Sequence, residues 1–206
     1  MLDQNFLPAH TCLHLIRHGV HWEFGRLLSG RAGSPPLTPQ GRAQASSVAE
    51  WTCRARPVAV HASPRARTME TASIIASAHA LDVQEVDALD EVDFGAWNGR
   101  SFAELADDPR WQNWNGSRSL ARTPNGETMM EAVERTVRHI EGAALAYPGE
   151  TILCVTHCDI IRGAIAHYLG LSLDNILRFD VDPGSISTVE LSAHGARVTR
   201  INEVPA

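Results

Sequence analysis

The chain has 206 residues, 44% of them hydrophobic and 20% charged, which suits one large globular domain, and no apolar run approaches the ~20 residues of a membrane-spanning helix. A formal net charge of −6 argues against a general nucleic-acid binder, which would neutralise phosphates with a basic surface. All 18 basic residues are arginine, so any anion site must be built from guanidinium forks, which grip phosphate oxygens in pairs. The opening residues MLDQNFLPAH lack the basic and apolar regions of a secretory signal, and a cytoplasmic location is expected. Cys12, Cys53, Cys154 and Cys158 show no metal-ligand spacing and are expected as reduced thiols.

Cys12 to Ile16 is a short apolar run closed by Arg17, His18 and Gly19, the pattern of a buried strand with a polar C-terminal edge. An irregular, glycine-rich stretch leads to Thr38 and Pro39, which suit the cap and first turn of a helix running to about Trp51. Pro57 to Ser63 reads as a second buried strand, and roughly Arg67 to Ala80 as a helix with Ile74, Ile75 and Ala78 inward. Val83 to Leu89 alternates as a strand would, after which regularity lapses until Pro124. Met130, Val133, Val137, Ile140 and Ala144 then mark one apolar face of a long helix. Thr151 to His157 is a third apolar strand with a polar tip, followed by a helix that stops near Gly170. Ser185 to Leu191 and Arg197 to Asn202 read as a closing hairpin. Strands alternating with helices place the chain in the α/β class, as a three-layer α/β/α sandwich whose mostly parallel sheet is covered on both faces. The whole of 1–206 is expected to form a single domain.

Parallel strands in one sheet carry their C-terminal ends to the same edge, where α/β proteins keep their ligand sites. Arg17, His18 and His157 therefore meet there, with Arg67 at the start of a helix whose free N–H groups favour an anion. A neutral imidazole in such a cluster is a nucleophile toward phosphorus, and the arginines would stabilise charge on the equatorial oxygens. A leaving alkoxide needs a proton, and Asp90, Glu91 and Asp93 lie just past another strand end.

The segments LIRHG, SPRARTMETA, EVDFGAWNG, PNGET and VTHCDIIR, in this order, resemble the histidine phosphatase superfamily, the branch that includes cofactor-dependent phosphoglycerate mutase and many small phosphatases. The resemblance covers nearly the whole chain. It implies a phosphomonoesterase acting on a small phosphorylated metabolite, with no metal and no other cofactor. It also implies that His18 is phosphorylated, that Arg17, Arg67 and His157 hold the phosphoryl oxygens, and that Glu91 is the proton donor. Arg67 is preferred over Arg65 because Ser63, Pro64, Thr71 and Ala72 fit the family spacing around it. Glu91 is preferred over Asp93 because it stands three before Phe94 and Gly95.

The chain departs from the pattern at two places. Phe24 stands where mutases of this kind have an asparagine, and Cys158 and Asp159 replace two glycines after the second histidine. Asp159 is expected to cap the following helix, leaving the backbone N–H of Cys158 for phosphate. Residues 92–123 are expected to form a lid insertion, with Trp111 and Arg118 joining Phe24 and Cys158 as substrate-binding residues; Trp97 and Trp114 either line that wall or pack the insertion. Arg65 is expected to be solvated, and His21 and His61 to be pocket-wall or structural residues. A phosphoglycerate-type mutase and a noncatalytic phospholigand-binding protein are the alternative readings. No nucleic-acid or membrane partner is expected, and a homodimer is left open.

Overall fold

A computed structural model describes residues 10–206; the expectation about the leading segment falls on residues 1–9, outside the described residues. Six strands are built in chain order: β1 (Thr11–Arg17), β2 (Ala59–Ala62), β3 (Val83–Glu85), β4 (Thr151–Thr156), β5 (Ile186–Ser192) and β6 (Gly195–Glu203). They form one sheet in the order β3-β2-β4-β1-β5-β6. The β3, β2, β4 and β1 ladders are parallel, whereas β5 runs antiparallel to β1 and to β6.

Helices α1 (Pro39–Thr52) and α2 (Ala66–His79) cover one face, packed on Ile16, Val60, Ala62, Leu153 and Val155. The other face, with Leu13, Leu15, Ala59, Ile152 and Cys154, lies under α5 (Met129–Ala146) and α6 (Cys158–Leu169). Caps fix where these helices begin. Thr38 accepts from Gly41 N, and Thr128 and Glu131 form a reciprocal capping box. Gly170 ends α6 in the left-handed conformation. Among the described residues no helix is long and apolar enough to cross a membrane.

Three expectations need correction. The stretch 83–89 is strand only to Glu85 and then turns into a 3-10 helix at Asp87–Leu89, because the carbonyls of Ala88 and Leu89 are taken by Arg135, Thr136 and Thr156 rather than by a neighbouring strand. In α2 the buried set is Arg67, Thr68, Thr71, Ala72, Ile75 and Ala76, while Ala78 is exposed and Ile74 only partly covered. α2 packs both on the sheet and on α1, which turns this arc inward. In α5 Met129, Ala132, Thr136 and Ala143 join Val133, Val137 and Ile140 in the core, and Met130 turns outward. The buried arc is broadened because α5 packs against both α6 and the turn at Asp87–Leu89.

Residues 92–123 are not structureless either. They hold a 3-10 turn (Gly95–Trp97) and two short helices, α3 (Phe102–Ala106) and α4 (Pro109–Gly116), each begun by a side-chain cap, Ser101 and Asp108 respectively. Trp97 and Trp114 are fully buried with Leu105, Met129 and Ile160, so they pack this segment onto α5 and α6.

Candidate active site

The register of β1 against β4 pairs Arg17 with Thr156, so the residues that follow, His18 and His157, leave the sheet side by side. His18 N donates to Thr156 O at 3.1 Å, and the two imidazole centroids stand 5.3 Å apart. Gly19 is required here: a Cβ on it would collide with the backbone of Gly41, where α1 crosses the end of β1. Its N–H is held by the Thr71 hydroxyl.

His18 is buried, with Nδ1 2.8 Å from the carbonyl oxygen of its neighbour Gly19. A carbonyl can only accept, so Nδ1 carries the proton and Nε2 the lone pair. Burial, then the charges of Arg67 and Arg17, hold this histidine well below the ordinary imidazole pKa. It is therefore neutral, and its free lone pair receives Arg67 Nε at 3.3 Å.

Arg67, almost fully buried in the first turn of α2, spans the cluster. Its Nη2 donates to Gly30 O at 2.8 Å and to His157 Nδ1 at 3.0 Å. Since Nδ1 of His157 accepts, Nε2 bears its proton and faces Ser63 Oγ at 2.7 Å, and that hydroxyl donates to Asp90 Oδ1 at 3.1 Å. Burial, then Arg67 and His18, keep His157 well below the usual imidazole range as well. Arg17 donates Nη1 to Val181 O at 2.6 Å and lies 5.3 Å from the Phe24 ring. Arg17 Nε and Arg67 Nη1 are buried with no hydrogen-bond partner among the described residues, which is costly unless an anion receives them.

Glu91 completes the ring. Its Oε2 is 3.8 Å from His157 Nδ1, and its backbone carbonyl is pinned by Arg31 Nε at 2.8 Å and Arg135 Nη2 at 3.0 Å. Burial, then the nearby charge of Asp159, raises its carboxyl pKa to about 7, so near neutral pH it holds a proton it can give away. Asp90 has the opposite surroundings: Arg65 lies 3.0 Å and Arg31 3.4 Å from its Oδ2. Two adjacent carboxyl groups thus have different neighbours. Arg65 is a half-buried partner of Asp90, not a solvated residue, because Asp90 needs a counter-charge once buried.

A pocket of about 310 Å³ opens over this cluster and is lined by Arg17, His18, Arg67, Glu91, Phe24, Trp111, Arg118 and Cys158 among others. His157 stands behind these groups as a fully buried support. Phe94, Phe102 and Trp111 make one wall apolar, and His21 lines another part, whereas His61 lies elsewhere, under α5. Asp159 does not cap α6: it faces the pocket and binds Arg118 Nη1 at 2.6 Å, with Arg162 at 3.8 Å, because the segment 92–123 brings a buried guanidinium to it. Sequence reasoning missed Ser63, Arg31 and this Arg118–Asp159 pair; only the unusual Asp159 marked the last.

A family model described as the histidine phosphatase superfamily (branch 1) matches residues 13–204. The bifunctional protein Rv2228c of Mycobacterium tuberculosis is 35% identical over 195 residues, which are 93% of this chain and 53% of that protein, so the chain spans about half of its length. The probable phosphoglycerate mutase GpmB of Salmonella arizonae is 32% identical over 185 residues, 86% of this chain and 84% of the relative. The adenosylcobalamin/alpha-ribazole phosphatase of Escherichia coli is 28% identical over 193 residues, 92% of this chain and 95% of the relative. Among solved structures, Bacillus stearothermophilus YhfR superposes with a TM-score of 0.88 at 24% identity, covering 94% of this chain and 98% of that one, which bears on fold alone.

Proposed function

The chain belongs to branch 1 of the histidine phosphatase superfamily, and on that premise we propose that it is a phosphomonoesterase that passes the phosphoryl group of a small metabolite through His18 to water. The observation that carries the proposal is the pairing, in one pocket, of a neutral His18 lone pair with a Glu91 carboxyl whose pKa is raised to about 7.

In this reading the substrate phosphate takes the unpartnered N–H groups of Arg17 and Arg67 and the N-terminal end of α6 at Cys158. His18 Nε2 attacks phosphorus, the P–O bond to the leaving group breaks, and Glu91 delivers its proton to the departing alkoxide. Gly19 O keeps the Nδ1 proton in place while Nε2 carries the phosphoryl group. Glu91, now a carboxylate, takes a proton from water as that water attacks; the P–N bond breaks and neutral His18 returns with inorganic phosphate. The arginines hold charge on the equatorial oxygens throughout, and His157, accepting from Arg67 Nη2 at its Nδ1, keeps that guanidinium aimed.

The identity to GpmB supports a second reading, a phosphoglycerate-type mutase. A mutase must hold a second phosphate beside the first, and here the pocket offers Phe24, Phe94, Phe102 and Trp111, while the charge of Arg118 is already met by Asp159. Hydrolysis with an apolar substrate body fits this lining better. The test is a panel of phosphorylated metabolites assayed for phosphate release, alongside 3- to 2-phosphoglycerate conversion. Release of phosphate dominated by one bulky phosphomonoester supports the hydrolase, and efficient isomerisation with little phosphate release overturns it.

A further inference from the structure

Under the α5 face of the sheet, away from the pocket lining, three metal-ligating side chains converge from three elements. His61 on β2 and Cys154 on β4 are direct register partners, and His139 projects from α5 above them. One ligand atom from each lies within 4.8 Å of the other two. His61 Nδ1 and His139 Nε2 are only 3.1 Å apart, with ring centroids at 5.0 Å.

The spacing along the chain hides this group, since topology alone assembles it. We propose that His61, His139 and Cys154 form a zinc site, separate from the phosphoryl pocket, with its fourth position open to water beside His139.

Zinc takes nitrogen at about 2.0–2.1 Å and thiolate at about 2.3 Å in tetrahedral geometry, which sets two ligating nitrogens roughly 3.4 Å apart. The two imidazoles already stand within a few tenths of an ångström of that separation. The ligand set, two imidazoles and one thiolate, suits a borderline-soft ion and not magnesium or calcium. His61 and Cys154 are buried, on strands fixed by the sheet ladder, whereas His139 is partly exposed and provides an entry path. Around them Ala59, Ile140, Ala143 and Ile152 are apolar, so two imidazoles stand where hydrophobic side chains would pack without penalty.

Binding is balanced by the loss of one proton. The Cys154 S–H bond gives its proton to solvent and the sulfur becomes thiolate. In the ion-free state one imidazole N–H serves the other as donor, and that proton moves to the far nitrogen of its own ring, freeing both facing lone pairs.

The experiment uses the full chain stripped with chelator and then titrated with Zn²⁺, or with Co²⁺ as a spectroscopic substitute. One ion per chain is expected, with one proton released by calorimetry in two buffers, a thiolate-to-cobalt charge-transfer band, and a rise in Tm. His139→Ala, at a partly exposed position, and Cys154→Ala should each weaken binding by at least about 100-fold, Cys154→Ala should abolish the band, and His18→Ala should leave all of it intact. Absence of the band and of any zinc-dependent Tm shift in the parent chain would overturn the site. So would binding that survives His139→Ala and disappears with His18→Ala, which puts the ion in the phosphoryl pocket. None of these readouts depends on phosphatase activity.

Discussion

Arg67 Nε donates to His18 Nε2 at 3.3 Å, so one guanidinium already holds the lone pair that the proposed reaction needs. The same side chain also binds His157 and Gly30 O, and one of its terminal nitrogens is buried without a partner among the described residues. A bound phosphate would draw those donors onto its oxygens and release the imidazole for attack. Lysine offers a point charge in place of the fork. Arg67→Lys should lower kcat/KM by about 10²–10³-fold, the range for losing one aimed donor. A loss below tenfold in steady-state kinetics would count against Arg67 as a phosphoryl clamp.

Glu91 sets the alkaline side of the pH profile. Its pKa, raised to about 7, means the acid form is present below that pH and is lost above it, while His18 stays neutral well below its ordinary range. For an ester with a poor leaving group, kcat/KM should fall above about pH 7. Asp159 contributes to the upward shift, so Asp159→Asn should move that fall to lower pH. Glu91→Gln should slow the same ester by about 10²-fold or more and nitrophenyl phosphate much less. Equal losses for both esters would remove Glu91 from the donor role.

The chain Asp90–Ser63–His157 fixes which nitrogen of His157 faces the pocket side. Ser63→Ala leaves His157 Nε2 without its partner and frees the ring to change tautomer. We expect kcat to fall about tenfold with KM little changed, because the bond orients His157, whose Nδ1 holds the Arg67 fork that acts on charge developing in the transition state. Ser63→Thr, which keeps the hydroxyl, should restore most of the rate; a threonine variant as slow as the alanine one would point to packing instead.

Trp111 and Trp114 should separate selectivity from stability. Trp114 is fully buried, and Trp114→Ala is expected to cost about 3–5 kcal/mol of stability by denaturant unfolding. Trp111 lines the pocket from α4, so Trp111→Ala should reduce turnover of a bulky phosphomonoester relative to a small one while changing stability less. Unchanged selectivity in Trp111→Ala would leave residues 92–123 as packing only.

Legibility in the sequence varies from one part of the molecule to another. The strand tips at Arg17-His18-Gly19 and Thr156-His157 are readable because polar residues closing a buried apolar run mark the edge of a sheet, and the parallel ladder brings the two tips together. Glu91 and Arg67 need the family spacing, since nothing local separates Glu91 from Asp90 or Arg67 from Arg65. The structure separates each pair by what surrounds it: Asp90 is clamped by Arg31 and Arg65, and Glu91 is not. Asp159 is misread because capping is a local rule, whereas Arg118 arrives from 41 residues away. The group of His61, His139 and Cys154 has no signal along the chain at all, being assembled by sheet register and helix placement.

The central claim is a covalent phosphohistidine at His18. Rapid quench of the enzyme with a labelled phosphomonoester, followed by peptide mapping, measures it directly. The account predicts acid-labile, base-stable label on the peptide carrying His18, formed and lost at rates consistent with turnover and absent in His18→Ala. Full turnover by His18→Ala, or label that never reaches that peptide while phosphate is released, would contradict it.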